Sequence, residues 1–172
     1  MQIRRLVPDD APAYRALMLE AYERHPDAFT STATERAALP LSWWETRLDA
    51  SPQAAQIVLG AFDGDRLAGA AGLLFETREK SRHKASLFGM YVAPSSRHAG
   101  FGRQLVLAAL AQAAARDGVK LVQLTVTQGN AAAQALYAQC GFASFGVEPF
   151  AVAVGGVFLG KIHMWRSLNP PA

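Results

Sequence analysis

The spacing of hydrophobic positions changes several times along the chain, and each change marks an element. Residues 2–7, QIRRLV, alternate loosely and predict a first strand. Asp9 or Asp10 then offers a helix cap, Pro12 sits in the first turn, and Tyr14, Leu17, Met18 and Ala21 recur at helical spacing over 13–24. Pro26 stops that helix. A second helix is expected over 42–48, capped by Ser42 and carrying Trp43, Trp44 and Arg47.

The period then shortens. QIVLGAF reads as a buried strand, Asp63-Gly64-Asp65 as a hairpin turn, and RLAGAAGLLFE as the returning strand. The small residues of that strand predict a flank on which something packs closely. After a charged hairpin, ASLFGMYVAP is a third strand, with a bulge or kink at Gly89 and an end at Pro94. A helix follows over 102–116 and stops at Gly118. A strand over 119–126 alternates cleanly, and a short helix is capped by Asn130 and closed by Gly141. Two strands near 143–147 and 157–165 complete the chain. The order β α α β β β α β α β β predicts an α/β fold: a mixed, mostly antiparallel sheet of six to seven strands with helices on both faces.

Composition narrows this picture. The 172 residues suit one domain, 1–172, with a real core. About half of the residues are apolar and 18% are charged, which is far from a disordered chain. No apolar run is long enough to span a bilayer, and the N-terminal residues lack a signal peptide's apolar centre. The single cysteine, Cys140, cannot form an internal disulfide. A cytoplasmic protein with no membrane partner is therefore expected. The net charge of +3 suits an anionic cofactor, but the basic run REKSRHK reads as a solvated hairpin end. Aromatics do not interleave with basic residues there, so no nucleic-acid partner is expected.

The chemistry concentrates where the third strand meets the next helix, at SSRHAGFGRQL. A helix N-terminus has free N–H groups, and glycine lets an oxygen approach them, so such a turn suits phosphate. A dinucleotide fingerprint would need a third glycine where Leu105 stands. A P-loop would need Lys-Ser or Lys-Thr where Arg103 and Gln104 stand.

A third phosphate turn fits. Arg97-His98-Ala99-Gly100-Phe101-Gly102, preceded by Val92-Ala93-Pro94, matches an Arg-x-x-Gly-x-Gly pattern. Downstream, Asn130, Ala133, Leu136, Tyr137 and Gly141-Phe142 match N-x-x-A-x-x-L-Y-x-x-x-G-F. Through these two motifs the chain resembles the GNAT superfamily of acyl-CoA-dependent N-acyltransferases. Many relatives carry glycine directly after the arginine. His98 stands there instead, but still supplies the backbone N–H.

The resemblance implies an N-acetyltransferase with acetyl-CoA as co-substrate and no metal. It implies that backbone N–H groups of Arg97, His98, Ala99, Gly100, Phe101, Gly102 and Arg103 hold the pyrophosphate. Backbone groups of Met90, Tyr91 and Val92 would pair with the pantetheine arm, and Asn130 would cap its helix and touch CoA. Tyr137 would donate a proton to the departing thiolate. The acceptor, a small-molecule or peptide primary amine, would attack directly and needs a base. Glu76 is ranked first for that role, with His83 and Glu20 behind it. Phe29, Trp43, Trp44 and His83 are expected around the acceptor, with Phe150 and His163 in the same regions. A homodimer through the C-terminal strands is also expected. Two other classes stay open: a catalytically weak acyl-CoA-binding or regulatory module, and a nucleotide-binding protein using the glycine turn.

Overall fold

In the computed structural model, which describes residues 1–97 and 99–169, strands from both ends of the chain meet in one sheet. The strands are β1 (Gln2–Arg5), β2 (Gln56–Asp63), β3 (Arg66–Phe75), β4 (Lys84–Val92), β5 (Leu121–Thr127), β6 (Ala143–Val154) and β7 (Val157–Ser167). The helices are α1 (Ala11–Arg24), α2 (Ala33–Ala37), α3 (Leu41–Thr46), α4 (Phe101–Ala115) and α5 (Ala131–Gln139). The sheet order is β1-β2-β3-β4-β5-β7-β6, and only β4 and β5 run parallel. The expected mixed α/β sheet is therefore present, with seven strands.

Helices cover both faces. On one, Leu105, Val106 and Ala109 of α4 bury against Leu59, Leu73, Val122 and Leu124. On the other, Tyr14, Leu17 and Met18 of α1 and Trp44 of α3 bury against Val58, Ala70 and Tyr91. The small residues of β3 allow this close packing. A Cβ on Gly72 would run into the Phe88 ring, and one on Gly69 would press on Leu105 of α4.

Element ends differ from expectation where side chains act in unexpected ways. Asp10 precedes α1, yet its carboxylate accepts from the Val7 N–H at 2.9 Å and from both terminal nitrogens of Arg4 at 2.7 and 2.8 Å. It closes the short turn before the helix instead of capping the helix itself. Thr32 and Glu35 form a reciprocal capping box that starts α2, a helix absent from the expected order. Asn130 caps α5 as expected, accepting from the Ala133 N–H at 3.2 Å. Strand β6 runs well past residue 147, because a register shift between Glu148 and Val152 accommodates Pro149 and Phe150.

Candidate active site

The site begins with a strand that leaves its neighbour. β4 pairs with β5 only at Lys84, Ala85 and Ser86. Beyond Ser86 the two strands separate. The β3–β4 register shifts between Ala70 and Gly72, so Gly89 and Met90 together face Ala71. Gly89 holds φ at +58°, a conformation open to glycine at little cost. The extra residue reverses the alternation of the strand. Ala85 and Leu87 face α4, and past the bulge Met90 and Val92 face it too.

The bulge also leaves backbone groups open. The Ala93 N–H donates to Ala68 O at 2.8 Å, so Ala93 and Tyr91 bond toward β3. The polar groups of Met90 and Val92 consequently point into the gap. There the Val92 carbonyl accepts from Arg97 Nε at 3.1 Å. A second lone pair of that oxygen remains for a ligand.

The phosphate-like turn opens on the same gap. Gly100 sits at φ +79° before α4 with no side-chain cap. The first bond of the helix runs from Gln104 N to Gly100 O at 3.0 Å, which leaves the N–H groups of Phe101, Gly102 and Arg103 without helical acceptors. The Arg97 N–H is engaged with Pro94 O at 3.3 Å, so the open donors begin after Arg97. His98 lies outside the described residues. Arg97 contributes its side chain differently, donating from Nη2 to His25 Nε2 at 2.8 Å. Free N–H groups, Arg97 and Arg103, and strand groups aimed into a gap together fit a pyrophosphate with an amide-bearing arm.

A cavity of about 840 Å³ joins these features. Its lining includes Met90, Tyr91, Val92, Gly100, Asn130 and Tyr137. Tyr137 is buried against Phe142, with ring centroids 5.9 Å apart, on the α4–α5 face. Burial holds its phenol well above the ordinary tyrosine range, and neighbouring Cys140 pushes the same way. It is therefore a protonated group at neutral pH. Burial also raises the Cys140 thiol, which makes it a poor nucleophile.

Across the gap, on the α1 face, the cavity is lined by His25, Phe29, Thr30, Thr125, Thr127 and Lys161. Phe29 packs edge-on to Tyr22 at 5.2 Å, and Thr127 Oγ1 donates to Asp27 O at 2.7 Å. These contacts tie the segment after α1 to the end of β5. A second cavity of about 570 Å³ adjoins the first through Phe29 and Thr30, and reaches Ala151–Gly155 at the end of β6. Lys161 and His25 were not singled out from the sequence. Lys161 alternates with apolar neighbours like an ordinary surface lysine, and His25 sits at the helix end.

Other expected residues lie elsewhere. Glu76 N bonds Lys84 O at 3.1 Å, which puts Glu76 at the start of β4. His83 adjoins it, and its carbonyl accepts from Lys120 and Leu121. Lys84 and Gly89 are five positions apart, about 17 Å of strand. Neither side chain lines the cavity, because the sheet carries both to its opposite end. Glu20 accepts from the Tyr91 hydroxyl at 3.0 Å and pairs with Arg24 at 3.1 Å. Burial, followed by Glu20, raises the Tyr91 pKa. Trp44 is core, 5.7 Å from Tyr14, and Trp43 lies between the guanidiniums of Arg36 and Arg47, each at 4.5 Å. Neither tryptophan lines the cavity. Phe150 is exposed and touches Phe158, and His163 faces Glu148 at 3.3 Å.

Comparison with known proteins agrees with this geometry. The model of the acetyltransferase (GNAT) family matches residues 14–142. A GNAT-family acetyltransferase from Streptococcus pneumoniae is 26% identical and superposes with a TM-score of 0.88, over 96% of this chain and 98% of that one. The ribosomal-protein-alanine N-acetyltransferase of Brucella melitensis is 27% identical, with a TM-score of 0.79 over 97% of this chain and 99% of that one. YncA of Salmonella typhimurium, solved with its cofactor acetyl-CoA, shares the fold at 22% identity and a TM-score of 0.80, over 100% of this chain and 96% of that one. The motifs, the separated strands and the family match lead to one conclusion: the chain belongs to the acetyltransferase (GNAT) family.

Proposed function

We propose that the protein transfers the acetyl group of acetyl-CoA to a primary amine by direct attack. The observation that carries this reading is the gap between β4 and β5, which opens to both faces of the sheet. Tyr137 stands on the α4–α5 face, and an acceptor site stands on the α1 face. Amine and departing thiol then occupy opposite sides of one carbonyl.

Acetyl-CoA supplies an activated thioester carbonyl. The N–H groups of residues 99–103 and the Arg103 guanidinium hold its phosphates. Met90 and Val92 take its arm as an added strand, and Asn130 and Tyr91 border it. An N–H in the gap, at Met90 or its neighbour, polarises the thioester oxygen. Tyr137, protonated at neutral pH, gives its proton to the sulfur as the thiolate departs.

Glu76 and His83 are too distant for proton removal from the acceptor, so we assign that step to His25. Among the described residues that line the cavity, it alone carries an imidazole. Arg97 can only donate, so the bond between them requires a lone pair on Nε2. Bound phosphate competes for Arg97 and frees that lone pair, with water as the link to the amine. Replacing His25 with Gln is expected to lower kcat/KM by about tenfold or more. An unchanged kcat/KM assigns the base elsewhere.

The expected homodimer also finds support. β6 is the outer strand, and Phe145 and Val147 on it are more than half exposed. Bare strand edges with apolar side chains favour pairing with another chain.

A further inference from the structure

We infer that the acceptor amine carries a carboxylate, as an amino acid or an analogue of one does, and that Lys161 receives it. This inference rests on the N-acetyltransferase reading above and concerns the acceptor half of that site. The charge around the acceptor face is one-sided. Among the described residues, no aspartate or glutamate lines the larger cavity. Lys161 does line it, from β7.

The fold sends that lysine toward the acceptor. Ile162 and Met164 pack into the α4–α5 core, so alternation along β7 turns Lys161 to the opposite face. There its Nζ donates to Thr30 Oγ1 at 2.6 Å. The bond sets the ammonium beside Phe29 at the junction of the two cavities. The phosphate turn belongs to α4 and has Arg97 and Arg103 as its own cations, so CoA phosphates do not require this charge.

No carboxylate lies within ion-pair distance of the Lys161 ammonium among the described residues. Glu148, the acid paired with it across the β6–β7 ladder, instead faces His163 at 3.3 Å. Lysine has three donors, and Thr30 takes one. The remaining two, with the Thr125 hydroxyl on the same cavity wall, suit a monoanion. A polyamine would meet a lysine where its second ammonium needs an acid. The adjoining cavity offers one carboxylate, the exposed Glu23.

The test compares leucine, leucinamide, the phosphonate analogue of leucine and spermidine as acceptors with acetyl-CoA. Other apolar amino acids, each with its amide, extend the panel. Thiol release with any amine upholds the acetyltransferase reading by itself, so the ratios among acceptors test the present inference separately. The native protein is expected to favour an amino acid over its amide by about tenfold to a hundredfold, the usual worth of a charge-assisted bond. Lys161→Met should erase that preference, lowering kcat/KM for the amino acid far more than for its amide, and Lys161→Glu should reverse it. Melting curves of the variants show that they fold. If no amine turns over, calorimetry with N-acetylleucine on the CoA-loaded protein decides the matter: binding that weakens in Lys161→Met supports the inference, and no binding at millimolar concentration overturns it. A native preference for spermidine, the amide or the phosphonate also overturns it.

Discussion

Tyr137 is protonated at neutral pH like any tyrosine, and the carbon around it raises its pKa further. The same burial that raises its pKa places the ring on Phe142 and the core of α4. Replacing Tyr137 with Phe preserves that packing and removes only the acid. The expected result is a kcat lower by about a hundredfold or more, with acetyl-CoA affinity within about twofold. Steady-state rates and CoA titration check it, and an unchanged kcat removes Tyr137 from the chemistry. A second single-residue effect concerns stability. Arg4 holds the Asp10 carboxyl below the usual carboxylate range, with the Val7 N–H helping against the cost of burial. A lowered pKa contributes stability that is complete above the unfolded value, near 3.9, and is lost as pH falls through the folded value. Asp10→Asn should therefore lower the melting temperature at pH 7 and make little difference in strong acid, as melts across pH will show.

The element that matters most is the bulged strand β4. Gly89 at +58° sets the gap, and Gly72 leaves room for the Phe88 ring beside it. A β-branched side chain at Gly89 costs at least about 1–2 kcal/mol in backbone strain. It also favours a regular strand, which would close the open N–H and C=O groups. Gly89→Val is expected to weaken acetyl-CoA binding by tenfold or more and to lower stability, both measurable by calorimetry. This bulge was legible in the sequence, as were the Asn130 cap and the glycine turn. In each case the needed signal is local, a glycine or a cap within a few residues of a pattern. The end of the sheet on which Glu76 falls was not legible. A strand's pattern shows which residues alternate, but the pairing of Glu76 with Lys84 depends on a partner eight residues away. Trp43 and Trp44 misled for a related reason, because adjacent aromatics declare bulk and not the face each takes. The strand expected near 143–147 continues to Val154, because a register shift between Glu148 and Val152 accommodates Pro149.

At the scale of the molecule, the sheet is a partition with one slot. In the proposed reaction the donor approaches from the α4–α5 side and the acceptor from the α1 side, and neither cavity wall belongs to a single element. Among the described residues β6 ends the sheet, which is the edge the proposed homodimer would use. Sedimentation at micromolar concentration is expected to show a dimer, and Phe145→Glu with Val147→Glu should give monomers. A monomeric native protein under those conditions refutes this assembly. Both the slot and the edge follow from strand order, which no local pattern in the chain encodes.

The central claim is catalysis, as opposed to storage or sensing of acyl-CoA. Thiol release from acetyl-CoA, followed across a panel of primary amines and matched by mass spectrometry of the products, tests it most directly. The predicted result is amine-dependent thiol release with an equal amount of N-acetylated product, strongly reduced in Tyr137→Phe. Tight binding of acetyl-CoA with no release on any amine would contradict the account and identify an acyl-CoA-binding module on the same fold.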